Sequence, residues 1–335
     1  MVFFLPARLA LLARLALLGL IVGSGSLGGC RQDGAAVDDG ALPDAAAIAP
    51  DAAVVDVARA GLEAPASPEV LSGAGDIAWC EPPGVGSGEV TAKILDRLPG
   101  TFFSAGDNSN GGGTLAEYQG CFGRSWGRHL ARLRPAPGNH DYVSLPAADY
   151  HQYFGPSAGP PGKGYYSYDR GAWHIVVLNS ECTLVACGAG SEQERWLRAD
   201  LAAHPTRCTL AIAHRPHFSG SSPGGSSFTS ALFGDLYDAG VDVIISGHLH
   251  WYERFKPLAP GGGVDLARGV RQFIVGTGGA LPMINSGTWL PSSEVHLEDV
   301  FGVISLTLRT DGYDWTFIPE AGKESQTDSG SDRCH

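Results

Sequence analysis

From Glu69 onward, short apolar runs alternate with stretches of helical spacing, and glycine-rich loops separate them. The runs EVLSGAGD and TFFSAGD predict strands that stop at Gly75-Asp76 and Gly106-Asp107. Between them, GEVTAKILDRL repeats apolar residues through Val90, Ile94 and Leu98, the spacing of one helix face. GYYSYDRGAWHIVVLNS predicts a hairpin turning near Asp169-Arg170-Gly171. SEQERWLRADLAAH opens with Ser191 and Glu194 at capping-box spacing, which predicts a helix start. CTLAIAH predicts a strand ending at His214, DVIISGHLH one ending at His248 and His250, and RQFIVGTGG a further strand. FGVISLTLRTDGYDWTFIP predicts a closing hairpin with Asp311-Gly312 as its turn. With 335 residues the chain is within reach of one large α/β domain.

Strand after strand stops at a side chain able to bind metal: Asp76, Asp107, Asn139, His214, His248 and His250. Loops at strand carboxyl ends are where α/β folds gather their sites. The tetrapeptide Gly138-Asn139-His140-Asp141, which buries almost nothing, belongs to this series. His248 and His250 are two apart, so in an extended chain both rings point the same way and reach neighbouring ions. Two Asp, one Asn and three His form a mixed oxygen and nitrogen set. It suits borderline transition metals rather than calcium or an iron–sulfur cluster. A pair of ions about 3.5–4 Å apart needs a bridging carboxylate, for which Asp107 is the candidate, and phosphoester hydrolysis is the chemistry of such a pair.

The net charge of -12 argues against nucleic acid or an anionic membrane surface as the main partner, without excluding a small anion held by metal. Residues 1–30 carry Arg8 and Arg14, a short apolar run and LGGC ending at Cys30, which resembles a bacterial lipoprotein signal with a lipidated cysteine. An ordinary secretory signal with a coincidental Cys30 is the alternative. Residues 31–66 hold seven acids, two arginines and no aromatic, the composition of a disordered tether. An exported protein, anchored at the periplasmic side or the cell surface, follows from this. Of seven cysteines, six remain after Cys30, which predicts disulfides. Cys182 and Cys187 enclose four residues and are paired; Cys80 with Cys121 and Cys208 with Cys334 follow only by elimination.

The ordered series GD (Asp76), GDN (Asp107), GNHD (Asn139 to Asp141), a strand-end His214 and GHLH (His248, His250) resembles the calcineurin-like metallophosphoesterase superfamily. Within it the chain is most similar to the purple acid phosphatase-like branch, because Ala78 stands where other branches place a histidine. The resemblance covers roughly residues 69 to 320. It implies a four-layer α/β/β/α sandwich of two mixed β-sheets flanked by helices. It implies two metal ions (Fe, Zn or Mn), the first on Asp76, Asp107 and His250, the second on Asp107, Asn139, His214 and His248. Hydroxide held between them would attack phosphorus while His140 assists the leaving group and Asp141 orients the His140 ring. His217 is a further candidate for phosphate contact. One departure stands out: Asn110 occupies the position of the iron-ligating tyrosine.

The implied substrate is a small phosphoester, phosphomonoesters first. A phosphodiesterase using the same site, and a surface binding lipoprotein without hydrolysis, are the alternatives. Trp251 and Tyr252 are candidates to line the cleft, and Glu253-Arg254 is expected as a surface or loop-anchoring pair. The domain is expected over 67–320, with 321–335 as a C-terminal tail. Oligomeric state is not encoded in any recognisable pattern.

Overall fold

Along the chain come β1 (Glu69–Ala74), α1 (Gly88–Leu95), β2 (Thr101–Ala105), the short α2 (Leu115–Glu117), β3 (Leu133–Ala136), α3 (Ala148–Phe154), β4 (Tyr166–Arg170), β5 (Trp173–Val177), α4 (Glu192–Ala203), β6 (Cys208–Ile212) and α5 (Ser230–Asp238). They are followed by β7 (Val243–Ser246), β8 (Tyr252–Phe255), β9 (Arg271–Val275), β10 (Ser293–Leu297), β11 (Gly302–Arg309), β12 (Gly312–Pro319) and β13 (Asp328–Arg333). The structure is a computed structural model describing residues 68–80, 88–220 and 226–335; the expected leader and tether and the glycine run at 221–225 lie outside the described residues. Among the described residues no helix is long and apolar enough to cross a membrane.

Two mixed sheets form, in the orders β13-β12-β11-β1-β2-β3 and β10-β8-β9-β7-β6-β5-β4. Within them β1, β2 and β3 are parallel, as are β5, β6, β7 and β9. Strand alternation sets the layers. Ile175, Val177, Leu210, Ile212, Val243 and Ile245 join Leu71 and Phe103 of the first sheet in one core. Their neighbours Val176, Ala211 and Ile244 turn the other way, onto Leu197 of α4 and Leu232, Phe233 and Leu236 of α5. A one-residue slip of β6 would trade Leu210 and Ile212 for Ala211 on the inner face. At about 1.5–3 kcal/mol per buried aliphatic side chain, the register is well specified. The result is the expected α/β/β/α sandwich.

Local rules account for several boundaries. Ser191 caps α4, its hydroxyl accepting from the Glu194 amide at 3.1 Å. The reciprocal half of the box is absent, because the Glu194 carboxylate accepts from Gly190 instead. The first hairpin turn sits one to two residues later than expected and the second one residue earlier. Arg170 pairs with Trp173 and Arg309 with Gly312, leaving Gly171-Ala172 and Thr310-Asp311 as the turns.

The expected C-terminal tail is corrected. Residues 328–333 form β13 and pair along β12 from Gly312↔Arg333 to Phe317↔Asp328. DSGSDR has no apolar run, so periodicity gave no strand signal. It is held instead by Asp328, whose carboxylate accepts from Tyr252, Arg254 and Trp315 at 2.6, 2.8 and 3.0 Å, and by the Cys208–Cys334 disulfide. Cys80–Cys121 and Cys182–Cys187 are also bonded.

Candidate metal centre

The carboxyl ends of the parallel strands meet at one place. The Gly75 amide, just past β1, donates to Val275 O at the end of β9 at 2.8 Å, and Gly278 donates back to Gly75 O at 2.9 Å. Loops of both sheets are therefore stitched together by backbone. Glycine is required where they approach most closely: a Cβ on Gly138 would lie 2.2 Å from Asp107 Oδ1, and one on Gly247 2.6 Å from Asp76 Oδ2. Three of the five non-glycine residues with positive φ among the described residues are Asp76 (58°), Asp107 (49°) and His248 (71°). Each such conformation costs of order 1–3 kcal/mol, and their concentration at candidate ligands marks the loops as built for a site.

All six predicted ligands are brought into this junction. The His214 ring is buried, with Nδ1 2.9 Å from Ala105 O, so Nδ1 carries the proton that this carbonyl accepts. That leaves the Nε2 lone pair facing Asn139 Oδ1 at 3.1 Å and Asp107 Oδ2 at 3.3 Å. His250 repeats the pattern: Nδ1 donates to Leu281 O at 2.7 Å and Nε2 faces Asp76 Oδ1 at 3.3 Å. A backbone carbonyl on the far nitrogen is how proteins aim an imidazole at a metal. Donor atoms of Asp107, His214 and His248 lie within 4.8 Å of one another.

Lone pairs converging without donors are costly unless a cation or a proton joins them. Two buried oxygens here, Asp76 Oδ1 and Asn110 Oδ1, have no hydrogen-bond partner among the described residues. Burial opposes charge on His214, yet Asp107, Asp76 and Glu181 outweigh it and push the imidazole up to about 10. Burial likewise resists ionisation of Asp107, but His214 and His140 hold its carboxyl below the usual range. The cluster thus demands positive charge at its centre, and its donor set fits transition-metal cations.

His248 and His250 do not lie on an extended strand. β7 ends at Ser246, and the positive φ of His248 turns the chain, so the two rings diverge to different partners. His248 stands edge-on to His214, ring centres 5.0 Å apart. Its Nε2 lies 2.9 Å from Arg215 Nη1, and burial, His214 and Arg215 together lower its pKa to about 3. Arginine only donates, so this contact and a cation on His248 Nε2 exclude one another.

His140 lies at the open side, its side chain 36% exposed. Nδ1 is 3.0 Å from Gly111 O, and Nε2 is 4.0 Å from Asp107 Oδ2. The ring is thus oriented by a backbone carbonyl and not by Asp141. Asp141 is fully buried and accepts from Tyr118 Oη at 2.7 Å, Gly138 N at 2.8 Å and Asn108 Nδ2 at 3.0 Å, tying together the loops after β2 and β3.

His217 falls outside the cluster. Its ring stacks on Phe233 at 4.5 Å, with Nδ1 3.2 Å from Thr229 Oγ1 and Nε2 3.4 Å from Pro260 O. Trp251 and Tyr252 are buried in the core rather than lining a cleft, and Glu253 is buried against Gly220 and Trp251 rather than at the surface. Sequence reasoning missed Asn108, Glu181 and Arg215. Arg215 directly follows His214, the one local signal that could have drawn attention to it.

A family model described as calcineurin-like phosphoesterase matches residues 74–252, a span that encloses Asp76 at one end and His250 at the other. The chain belongs to that family. Among its relatives, purple acid phosphatase 21 of Arabidopsis thaliana is 34% identical over 147 residues, which are 38% of this chain and 33% of that protein. An acid phosphatase of Aspergillus ficuum is 30% identical over 155 residues, 34% of this chain and 25% of the relative. The match thus spans a third or less of these relatives' own length. The purple acid phosphatase PPD1 from yellow lupin (Lupinus luteus) seeds shares the fold, with a TM-score of 0.67 at 18% identity over 79% of this chain and 53% of that one. The phosphoesterase frame, and its likeness to the purple acid phosphatase branch, agree with the motif order along the chain.

Proposed function

We propose that this chain is a two-metal phosphoester hydrolase acting on phosphomonoesters. The observation that carries the reading is the pair of imidazoles, His214 and His250, each tied by Nδ1 to a carbonyl and each turning Nε2 toward carboxylate or amide oxygen, where a cation can take the place of a proton. Asp76, Asp107 and His250 would hold one ion and Asp107, Asn139, His214 and His248 the other, with Asp107 shared and the ions of the Fe, Zn or Mn kind. Bound there, such ions supply Lewis acidity toward a phosphoryl oxygen and toward water. Asn110 offers a neutral oxygen, without a partner among the described residues, where the related phosphatases carry a tyrosine, so no phenolate colour is expected.

The chain's own residues supply the remainder. Asn139 contributes an uncharged donor, which limits repulsion of an anionic ester. His140, held through Nδ1 by Gly111 O, presents Nε2 at the open side, where its proton passes to the departing alkoxide. Asp141 acts at one remove, fixing the loop that carries Asn139 and His140. The same proposal includes export and membrane attachment through lipidated Cys30; three disulfides suit an oxidising compartment.

Metal analysis of the purified protein, paired with a panel of phosphomonoesters and phosphodiesters, tests this. Two equivalents of transition metal and faster turnover of monoesters are expected. Metal bound with no turnover of either ester overturns the hydrolase in favour of a binding protein, and faster diester turnover reverses the substrate class.

A further inference from the structure

We infer that Arg215, clamped by Glu181, is the phosphate-contacting cation of this site and gives it a preference for dianionic over monoanionic esters; the inference rests on the phosphoester reading above. Arg215 leaves the end of β6 one residue after His214, and its guanidinium reaches the His248 ring. Glu181, only 4% exposed, grips it in a fork: Nε lies 2.9 and 3.1 Å from the two carboxylate oxygens and Nη2 3.0 Å from one of them. Glu181 is itself fixed. Its amide donates to Asn179 Oδ1 at 3.1 Å, and its carbonyl accepts from Leu184 and Val185 within the loop closed by Cys182–Cys187. The Arg215 amide is tied to Ser180 Oγ at 2.8 Å.

A pair serving only to anchor the disulfide loop would spend the guanidinium on Glu181. Arg215 instead extends beyond it, stays 28% exposed and adjoins a candidate metal ligand. Guanidinium carries five N–H groups. Three are engaged, one each on Nε, Nη1 and Nη2, so two remain without a partner among the described residues, one on each Nη. Two such donors on one guanidinium can serve two oxygens of a phosphate, and such charge-assisted bonds are about twice as strong as neutral ones. A monoester dianion presents more charge to this fork than a diester monoanion, so the fork discriminates between them. When His248 gives its lone pair elsewhere, Nη1 is released, and the Glu181 fork keeps the guanidinium beside the site.

The test uses the full-length, metal-loaded protein. Binding of inorganic phosphate is measured by titration calorimetry, and kcat/KM is compared for p-nitrophenyl phosphate and bis(p-nitrophenyl) phosphate. Arg215→Gln is expected to weaken phosphate binding roughly tenfold or more and to lower the monoester-to-diester ratio by a similar factor, at unchanged metal content. Arg215→Lys should recover part of the binding, and Glu181→Gln should shift both readouts less, in the same direction. Because Arg215→Gln strands a buried carboxylate, the double variant E181Q/R215Q, which strands none, carries the same test should the single variant fail to fold. Wild-type phosphate affinity and an unchanged ester ratio in these variants overturn the inference, even if Tm falls. A wild type that binds phosphate but turns over neither ester sinks the hydrolase reading, while the affinity comparison still decides the role of Arg215. A wild type that binds no phosphate overturns the role of Arg215.

Discussion

The first sheet delivers oxygen and the second delivers nitrogen. Asp76, Asp107 and Asn139 follow β1, β2 and β3, whereas His214, His248 and His250 follow β6 and β7. The oxygen side is rigid by backbone: Asp76 and Asp107 sit at positive φ, and Asp107 Oδ1 and Asp76 Oδ2 each accept an amide, from His140 and His248 at 2.8 and 2.7 Å. The nitrogen side is aimed by side-chain tautomer, through carbonyls on the far ring nitrogen, and it carries the added cation Arg215. Neither sheet alone forms a site. Charge on the oxygen side would draw a cation, and ring orientation on the nitrogen side would direct it.

Removing the oxygen that both ions would share should break this division most severely. Asp107→Ala is expected to lower kcat/KM by several kcal/mol, on the order of 10³-fold or more, and to reduce bound metal in elemental analysis. Full metal content in that variant would refute the shared role of Asp107. His140→Ala separates proton transfer from metal holding. A loss of roughly 10²–10³-fold in kcat with normal metal stoichiometry is expected, and leaving groups of low pKa should suffer least. Asp141→Ala probes the rigid side at one remove from the reacting groups. It leaves the Gly138 amide, the Asn108 side chain and the Tyr118 hydroxyl without their acceptor, at about 1–3 kcal/mol for each buried group left unsatisfied. A fall in Tm of several degrees, of order 2–4 °C per kcal/mol, is expected, and an unchanged Tm would exclude Asp141 as the brace.

The smallest effect concerns an imidazole of the second sheet outside the site. His174 is buried between Asp169 and Asp200, at 2.7 and 2.9 Å. Burial favours its neutral form, but the hydrogen bonds to Asp200 and Asp169 outweigh it and raise its pKa. Its contribution to stability is therefore complete below the unfolded value of about 6.5 and disappears as pH rises through the raised folded value. The gap in Tm between wild type and His174→Gln should be wider at pH 6 than at pH 9; equal gaps would refute the charged state.

Legibility followed the range of each interaction. Strand-end acids and imidazoles, the α/β alternation and the Ser191 cap are coded by spacing along a few residues, and they are legible in the sequence alone. Asp141 and His217 did not keep their expected partners, because a ring's neighbour across a fold leaves no mark in nearby sequence. The C-terminal strand was invisible for the same reason: DSGSDR has no periodic apolar face, and its place is fixed by Asp328 meeting Tyr252, Arg254 and Trp315 from distant strands.

By itself, then, the sequence determined which atoms were on offer, since residue type sets donor chemistry and hydrophobic period sets strand or helix. Only the tertiary structure decided which nitrogen of each histidine faces the centre, that His248 turns away from His250, and that Glu181 holds Arg215 beside them. Those outcomes depend on carbonyls, carboxylates and backbone turns that come together only when the two sheets close on one another.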